Sequence, residues 1–178
     1  MRLPIPRDEN GDEWVSHGKI EFIDYSAKYR PDAEIVLRDL NITFEAGEKI
    51  GVVGRTGAGK STLCMSLCRF IEQIKGKILI DGVDINTVGI ADLREQITVI
   101  PQDPALFENT LRFNLDPDSN STDEEILRLI NKAALTNLVV RDPHGLDAKI
   151  HLRGDNLSSG EKQLICICRA ILRVSFYY

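Results

Sequence analysis

The fold is decided by the stretch Lys49-Ile50-Gly51-Val52-Val53-Gly54-Arg55-Thr56-Gly57-Ala58-Gly59-Lys60-Ser61. Its apolar start is typical of a buried strand, and G-x-x-x-x-G-K-S follows directly. Glycines let successive backbone N–H groups wrap an anion, and a helix after them directs its positive end to the same place. Leu63, Leu67, Phe70 and Ile71 recur at helical spacing. The stretch therefore predicts a phosphate-binding loop between a strand and a helix.

Each position at the end of this loop has a chemical reason. Lys60 supplies a compact cation for the β- and γ-phosphates of a nucleotide, Ser61 offers a hydroxyl to Mg²⁺, and Thr62 lies within reach of the α-phosphate. A random chain of this length contains the pattern with a probability on the order of one per cent. The loop by itself does not choose among kinases, GTPases, motor ATPases and transporters.

Composition sets the outer limits of the interpretation. The chain has 178 residues with 43% hydrophobic residues, which favours one globular domain. A net charge of −5 disfavours binding to nucleic acid, and no apolar run reaches the roughly 18 residues of a membrane span. The prolines and acids near Met1 do not fit a signal peptide. The four cysteines are predicted to be reduced residues of the core, which favours the cytosol.

The coarse organisation is a linker followed by mixed strands and helices. Residues 1–17 are predicted to be a linker. Predicted strands are 19–25, 35–37, 40–44, 49–53, 77–80 and 97–100, with Asp81-Gly82 as a hairpin turn. Ser121 and Glu124 form a predicted capping box for a helix. The last predicted helix begins near Ser158, with inward residues Leu164, Ile165, Ile167, Cys168 and Ile171.

Two further segments carry a family resemblance. Ile100-Pro101-Gln102-Asp103-Pro104-Ala105-Leu106-Phe107 and Leu157-Ser158-Ser159-Gly160-Glu161-Lys162-Gln163 follow the phosphate loop in this order. They resemble the glutamine loop and the signature sequence of ATP-binding cassette domains. With Leu111-Arg112-Phe113-Asn114-Leu115-Asp116-Pro117, the chain from Gly18 to Arg173 most resembles the second nucleotide-binding domain of subfamily C exporters, the multidrug-resistance-associated proteins.

The resemblance implies the fold and its divisions. We expect an α/β fold, that of the P-loop ATPases of the ATP-binding cassette (ABC) type, with an antiparallel β subdomain and an α-helical signature subdomain, incomplete at its C-terminus. Residues 1–17 would be a linker from a preceding membrane domain. Residues 18–178 would be a partial nucleotide-binding domain, with its P-loop at 54–62, its glutamine loop near 102 and its signature at 157–161.

The resemblance also implies site residues. Tyr29 would stack on adenine, with Tyr25 as the alternative aromatic. Gln102 would reach toward Mg²⁺ and the attacking water. The remaining ATP-binding residues would be Gly54, Arg55, Thr56, Gly57, Ala58, Gly59, Lys60, Ser61 and Thr62, with Ser61 and Gln102 nearest the metal.

The signature would serve a second domain. In the family, two nucleotide-binding domains pair head to tail, so Leu157, Ser158, Ser159, Gly160 and Glu161 would contact ATP held by the partner. The free N–H groups of a helix N-terminus suit such an anion. The alternative is that Ser158 is only an N-cap with Glu161 as its capping-box partner. The same residues can also both cap the helix and contact the partner's ATP.

The chain departs from the family after Arg173. The family continues into a strand ending in Asp-Glu and then a histidine, whereas this chain reads Val174 to Tyr178. Neither Ile78–Asp81 nor Leu138–Asp142 fits as a substitute. We therefore identify no catalytic residue and predict surface positions for His17, His144 and His151. We expect an isolated piece of this length to be marginally stable. We also expect the chain to be a fragment, or the product of an altered gene model, of a longer transporter.

The leading hypothesis is an ATP-binding cassette that binds ATP and Mg²⁺ and, in the complete domain, hydrolyses ATP to power export across a membrane. Its partners would be another nucleotide-binding domain and the transmembrane domains of the same transporter, on the cytoplasmic side of the membrane. One alternative is a regulatory or degenerate cassette that binds nucleotide without hydrolysis. A small-molecule kinase is the other alternative, although it has no use for the signature sequence.

Overall fold

The computed structural model describes residues 14–174, which divide after Ile97 into two compact units. Residues 1–13 of the predicted linker and the aromatic end at 175–178 lie outside the described residues. The strands of the first unit are β1 (Ile20–Lys28), β2 (Ile35–Phe44), β3 (Glu72–Ile80) and β4 (Val83–Asp84). They form one antiparallel sheet in the order β2-β1-β3-β4.

The sheet confirms most of the predicted strands. The two predicted segments 35–37 and 40–44 are one continuous strand, β2. Asp81 and Gly82 both have positive φ angles, 47° and 77°, as the tight turn between β3 and β4 requires. Gly76 stands opposite an irregularity in β1, where an added Cβ would lie 2.3 Å from the Ile23 carbonyl oxygen, so a side chain cannot be accommodated there.

The core of the first unit includes the end of the predicted linker. Trp14 is buried in this core, and its Nε1 donates to the Ile80 carbonyl oxygen at 2.9 Å. The backbone N–H groups of His17, Gly18 and Lys19 donate to the Asp81 carboxylate at 2.8 to 2.9 Å. Residues 14–17 of the predicted linker are therefore bound to the sheet by one aromatic ring and one carboxylate.

Two helices complete the first unit, α1 (Lys60–Leu67) and α2 (Ile90–Gln96). The helix predicted after the phosphate loop is shorter than expected, because Arg69 turns the backbone to a φ of 52°. Phe70 is consequently 63% exposed rather than part of an inward face. The Arg94 guanidinium lies 4.1 Å from the centre of its ring, a cation–π contact that covers part of the exposed face.

Two predicted strands are absent from the described residues. Residues 49–53 and 97–100 have no strand structure, and Val53 is 96% exposed, with Ile50, Val52, Val99 and Ile100 also exposed. An apolar run becomes a buried strand only when neighbouring strands satisfy its backbone and cover its side chains. Within residues 14–174, no strand pairs with either segment.

The second unit is mainly helical. Its helices are α3 (Leu111–Leu115), α4 (Asp123–Lys132), α5 (Thr136–Val140) and α6 (Ser159–Val174). A two-stranded ladder joins β5 (Asn109–Thr110) to β6 (Lys149–Ile150). Leu111, Leu115, Ile126, Ile130, Ile165 and Cys168 are among its core residues. The predicted inward face of α6 is confirmed at Leu164, Ile165 and Cys168, whereas Ile167 is only partly buried and Ile171 is exposed.

The capping box of α4 lies one residue beyond its predicted position. Thr122 Oγ1 accepts from the Glu125 N–H at 3.3 Å, and Glu125 Oε2 accepts from the Thr122 N–H at 2.8 Å. Ser121 and Glu124 match the same pattern in sequence but are not the box. Ser121 is instead buried, and its N–H donates to Asp116 Oδ2 at 2.6 Å.

All four cysteines are free thiols. Cys68, Cys166 and Cys168 are buried as predicted, whereas Cys64 is exposed, so the core prediction is wrong for that residue. None of the helices in the described residues is long and apolar enough to cross a membrane.

Candidate nucleotide site

The phosphate loop at 54–61 is exposed except at Gly59 and Lys60, which are partly buried, and its backbone is shaped by two glycines. Gly57 and Gly59 have φ angles of 84° and 87°, in the left-handed region that side chains disfavour. Gly59 is also the N-cap of α1, and an added Cβ there would lie 3.0 Å from Leu37 Cδ2. The backbone angles at these two positions therefore favour glycine, as the sequence motif predicts.

Lys60 turns back over the loop. Its Nζ donates to the carbonyl oxygens of Gly54 and Arg55 at 2.7 and 2.9 Å. An ammonium has three donors, and these bonds use two. The arrangement places a positive charge within the loop.

The first turn of α1 is suited to an anion. It contains no acidic residue, and its second and third residues are Ser61 and Thr62. Ser61 is exposed, whereas Thr62 is buried against the unit. The first turn thus combines the positive end of the helix dipole with two hydroxyl-bearing residues.

The two candidate aromatics have different environments. Tyr25 is 2% exposed and packs edge-on against Phe22 in the core, with ring centres 5.5 Å apart. Burial raises the pKa of its hydroxyl. Tyr29 follows the end of β1, is 49% exposed, and its hydroxyl lies 2.8 Å from Thr62 Oγ1. Only Tyr29 has a ring face accessible beside the phosphate loop.

The glutamine loop lies in the second unit. Gln102 is exposed in an irregular segment before β5. Its expected role near Mg²⁺ stays a prediction. The three histidines are exposed as predicted, at His17, His144 and His151.

The signature begins at a capped helix start. Ser158 Oγ accepts from the Glu161 N–H at 3.2 Å, and the Ser158 N–H donates to Glu161 Oε2 at 2.7 Å. This donation from the Ser158 backbone is the largest influence lowering the pKa of Glu161. A Cβ added to Gly160 would have no atom within 4 Å, so no contact in the described chain requires glycine there. Leu157 is partly buried, and Ser159 is exposed.

Two residues that support the signature were missed by sequence reasoning. Arg141, just after α5, donates to Glu161 Oε1 at 3.2 Å and to the Asn156 carbonyl oxygen at 3.4 Å. The Asn156 side chain accepts from the His151 N–H and donates to the Lys149 carbonyl oxygen. No local pattern marks either residue, because their partners lie five to twenty residues away.

Comparison with known proteins finds similarity to ABC transporters. Residues 37–175 match the family model described as ABC transporter. ATP-binding cassette sub-family C member 3 of Rattus norvegicus is 48% identical over 91% of this chain, and sub-family C member 2 of Homo sapiens is 50% identical over 92%. Multidrug resistance protein mrp-7 of Caenorhabditis elegans is 48% identical over 90%. The chain covers 11%, 11% and 10% of these relatives, so it spans about a tenth of their length.

A solved structure is similar over nearly the entire chain. It is that of a bacterial Atm1-family ABC exporter with ATP bound, with a TM-score of 0.83 and 32% sequence identity. The match covers 97% of this chain and 30% of that one. The likeness therefore includes the phosphate loop, the antiparallel sheet and the signature helix.

Proposed function

Since the chain belongs to the ABC transporter family, we propose that it binds ATP with Mg²⁺ and forms part of a nucleotide-binding domain of a subfamily C exporter. In the complete transporter, hydrolysis of that ATP powers the export of a substrate. The observation that carries the proposal is the glycine-shaped loop at 54–61, with Lys60 turned over it at the start of α1.

Phosphate binding rests on charge and backbone donors. The Lys60 ammonium attracts the β- and γ-phosphates, while the N–H groups of the loop and of the first turn of α1 donate to phosphate oxygens. Gly57 and Gly59 allow the backbone to approach the phosphates closely. Gly54, Arg55, Thr56 and Ala58 complete the loop.

Magnesium fits the donors beside the loop. Mg²⁺ prefers oxygen ligands, keeps several waters and commonly takes its other ligands from the nucleotide phosphates. The exposed hydroxyl of Ser61 at the start of α1 is an oxygen ligand of this kind. When bound, the ion neutralises phosphate charge. We assign Ser61 to hold it.

Adenine is assigned to Tyr29 rather than to Tyr25. A base stacks on an exposed aromatic face, and Tyr25 is enclosed in the core. Tyr29 is half exposed beside the first turn of α1. The chain therefore offers a stacking surface for the base within the same unit as its phosphate loop.

The signature is assigned to a partner domain. Ser158 already caps α6, which leaves its hydroxyl proton free to donate to a phosphate. Gly160 is exposed and surrounded by open space, which permits close approach of another molecule. We assign the partner as a second nucleotide-binding domain, paired head to tail, so that residues 157–161 complete its ATP site.

The remaining assignments follow from the relatives. Their names place them among ATP-binding cassette and multidrug resistance proteins, and the similar solved structure is an exporter with ATP bound. We therefore assign the chain to the cytoplasmic side of a membrane, attached to transmembrane domains of the same transporter. ATPase activity is assigned to the complete domain.

Titration of the chain with fluorescent MgATP tests the proposal. Lys60→Ala should weaken binding at least ten-fold, because a cation in contact with phosphate is lost. Lys77→Ala is the matched control, since Lys77 is an exposed lysine on β3. Equal affinity in the two variants would contradict the proposal. Phosphate release by the full-length transporter then tests hydrolysis.

A further inference from the structure

The Tyr29 hydroxyl and the Thr62 hydroxyl form a pair at the centre of the candidate site. Their oxygens are 2.8 Å apart, a good distance for an O–H···O hydrogen bond. Tyr29 is 49% exposed, whereas Thr62 is only 3% exposed. A half-exposed ring is thereby attached to a buried residue of the first turn of α1.

The position of Thr62 is itself held by neighbouring groups. Its carbonyl oxygen accepts from Ser66 Oγ at 2.8 Å, one turn further along α1. Ser66 is itself buried, at 1% exposed. The Thr62 hydroxyl therefore has a defined place, and its hydrogen-bond partner decides where its proton points.

A hydroxyl has one proton to donate and can accept two hydrogen bonds. When Tyr29 donates to Thr62 Oγ1, the Thr62 proton remains free for an anion at the N-terminus of α1. When Thr62 donates instead, its proton is used. An anionic oxygen that accepts from Thr62 favours the first arrangement, and hydrogen bonds in such a series strengthen one another.

We propose that Tyr29 is a positioning residue for the phosphates as well as a surface for the base: its O–H donates to Thr62 Oγ1 and directs the Thr62 proton to a nucleotide phosphate. This inference rests on the proposed function. Phenylalanine at position 29 would retain the stacking face but would supply no donor. One pair of hydroxyls thus connects the residue that contacts the base with the residue that contacts the phosphates.

The decisive probe has phosphates but no base. Magnesium tripolyphosphate cannot stack on Tyr29, so a residue that acts only on adenine has no effect on its affinity. We expect Tyr29→Phe to weaken tripolyphosphate and ATP by the same factor, about five-fold, as for the loss of one hydrogen bond. Binding is measured by calorimetric titration of the chain, with circular dichroism to verify folding.

Substitutions at Thr62 complete the test. Thr62→Val removes the hydroxyl and should weaken tripolyphosphate binding at least as much as Tyr29→Phe, while Thr62→Ser keeps the hydroxyl and should lose less affinity than Thr62→Val. The double variant Tyr29→Phe, Thr62→Val should bind tripolyphosphate as tightly as Thr62→Val alone, because both substitutions interrupt the same series of hydrogen bonds.

Two results would overturn the inference: unchanged tripolyphosphate affinity in Tyr29→Phe, or purely additive losses in the double variant. The first would restrict Tyr29 to the base. Failure of the proposed function has a different signature, namely ATP affinity that does not depend on Lys60. The two failures are therefore distinguished within one set of titrations.

Discussion

Arg169 holds Asn114 by both its backbone and its side chain. Arg169 Nε donates to the Asn114 carbonyl oxygen at 2.6 Å, and its Nη2 donates to Asn114 Oδ1 at 3.3 Å. Asn114 is fully buried, and its side chain also bonds the Phe107 N–H, the Phe107 carbonyl oxygen and the Thr110 carbonyl oxygen. One asparagine thus connects α3, the segment before β5 and the signature helix α6.

Asn114→Ala should destabilise the second unit by about 2 to 4 kcal/mol, because several buried partners lose their hydrogen bonds together. Denaturant unfolding followed by circular dichroism measures the change. Asn137→Ala is the control, since Asn137 is exposed on α5. A loss for Asn114→Ala no larger than for the control would contradict the role given to this network.

Asp81→Asn should loosen the segment at 14–19. Asparagine tolerates the positive φ angle at this position, so the substitution chiefly replaces one of the two carboxylate oxygens, which together accept from three backbone N–H groups, with an NH₂ group that cannot accept. We expect a loss of about 1 to 3 kcal/mol. Trp14 is the chain's single tryptophan and is buried, so its fluorescence should shift to longer wavelength. Asp32→Asn, at an exposed site, should leave the emission unchanged.

Thr122→Ala and Ser121→Ala distinguish the observed cap of α4 from the predicted one. Thr122→Ala should cost about 1 kcal/mol, since the capping bond to Glu125 is lost. Ser121→Ala should be neutral or slightly stabilising, because Ser121 Oγ is buried without a hydrogen-bond partner among the described residues. Thermal unfolding of both variants measures the difference, and the reverse order would contradict the structure.

Acid should weaken the start of α6 through Glu161. The pKa of Glu161 in the folded chain is lowered chiefly by the hydrogen bond from the Ser158 N–H. The Ser158 side chain and Arg141 lower it further. A lowered folded pKa gives a stabilisation that is complete above the unfolded pKa of about 4.3 and is lost as the pH falls through the folded pKa. Stability of the chain should therefore decline as the pH falls below about 4.3. The decline should be shallower in Glu161→Gln, as measured by unfolding at successive pH values, and an identical profile would count against it.

Gly160→Ala should separate folding from partner recognition. The added methyl has open space and lies in a helix, so stability should be unchanged or rise by up to about 1 kcal/mol. ATP binding at residues 54–62 should also be unchanged. ATP-dependent pairing of the complete nucleotide-binding domain should be lost, because the methyl obstructs the approaching phosphate. Sedimentation with and without ATP measures pairing, and normal pairing would contradict the assignment of the signature.

The features that the sequence predicted correctly depend on local backbone chemistry. Gly57 and Gly59 needed left-handed backbone angles, Asp81-Gly82 needed a tight turn, and both appear as predicted. The motifs also identified the family, and the ABC ATPase fold with its antiparallel sheet and helical signature unit is confirmed by the similar exporter. Each of these signals depends on neighbouring residues, so no distant contact was needed to recognise it.

What only the tertiary structure decided depends on partners far apart in the chain. The apolar run at 49–53 was expected to be a strand, yet strand structure requires partners, and the described residues supply none for it. Trp14 joins the core through Ile80, Asn114 is held by Arg169, and Tyr29 meets Thr62, across separations that no pattern of spacing encodes. Sequence alone therefore determined the phosphate loop and the family, because those depend on local backbone chemistry. Long-range packing decided which aromatic stands beside the loop and which residues hold the signature.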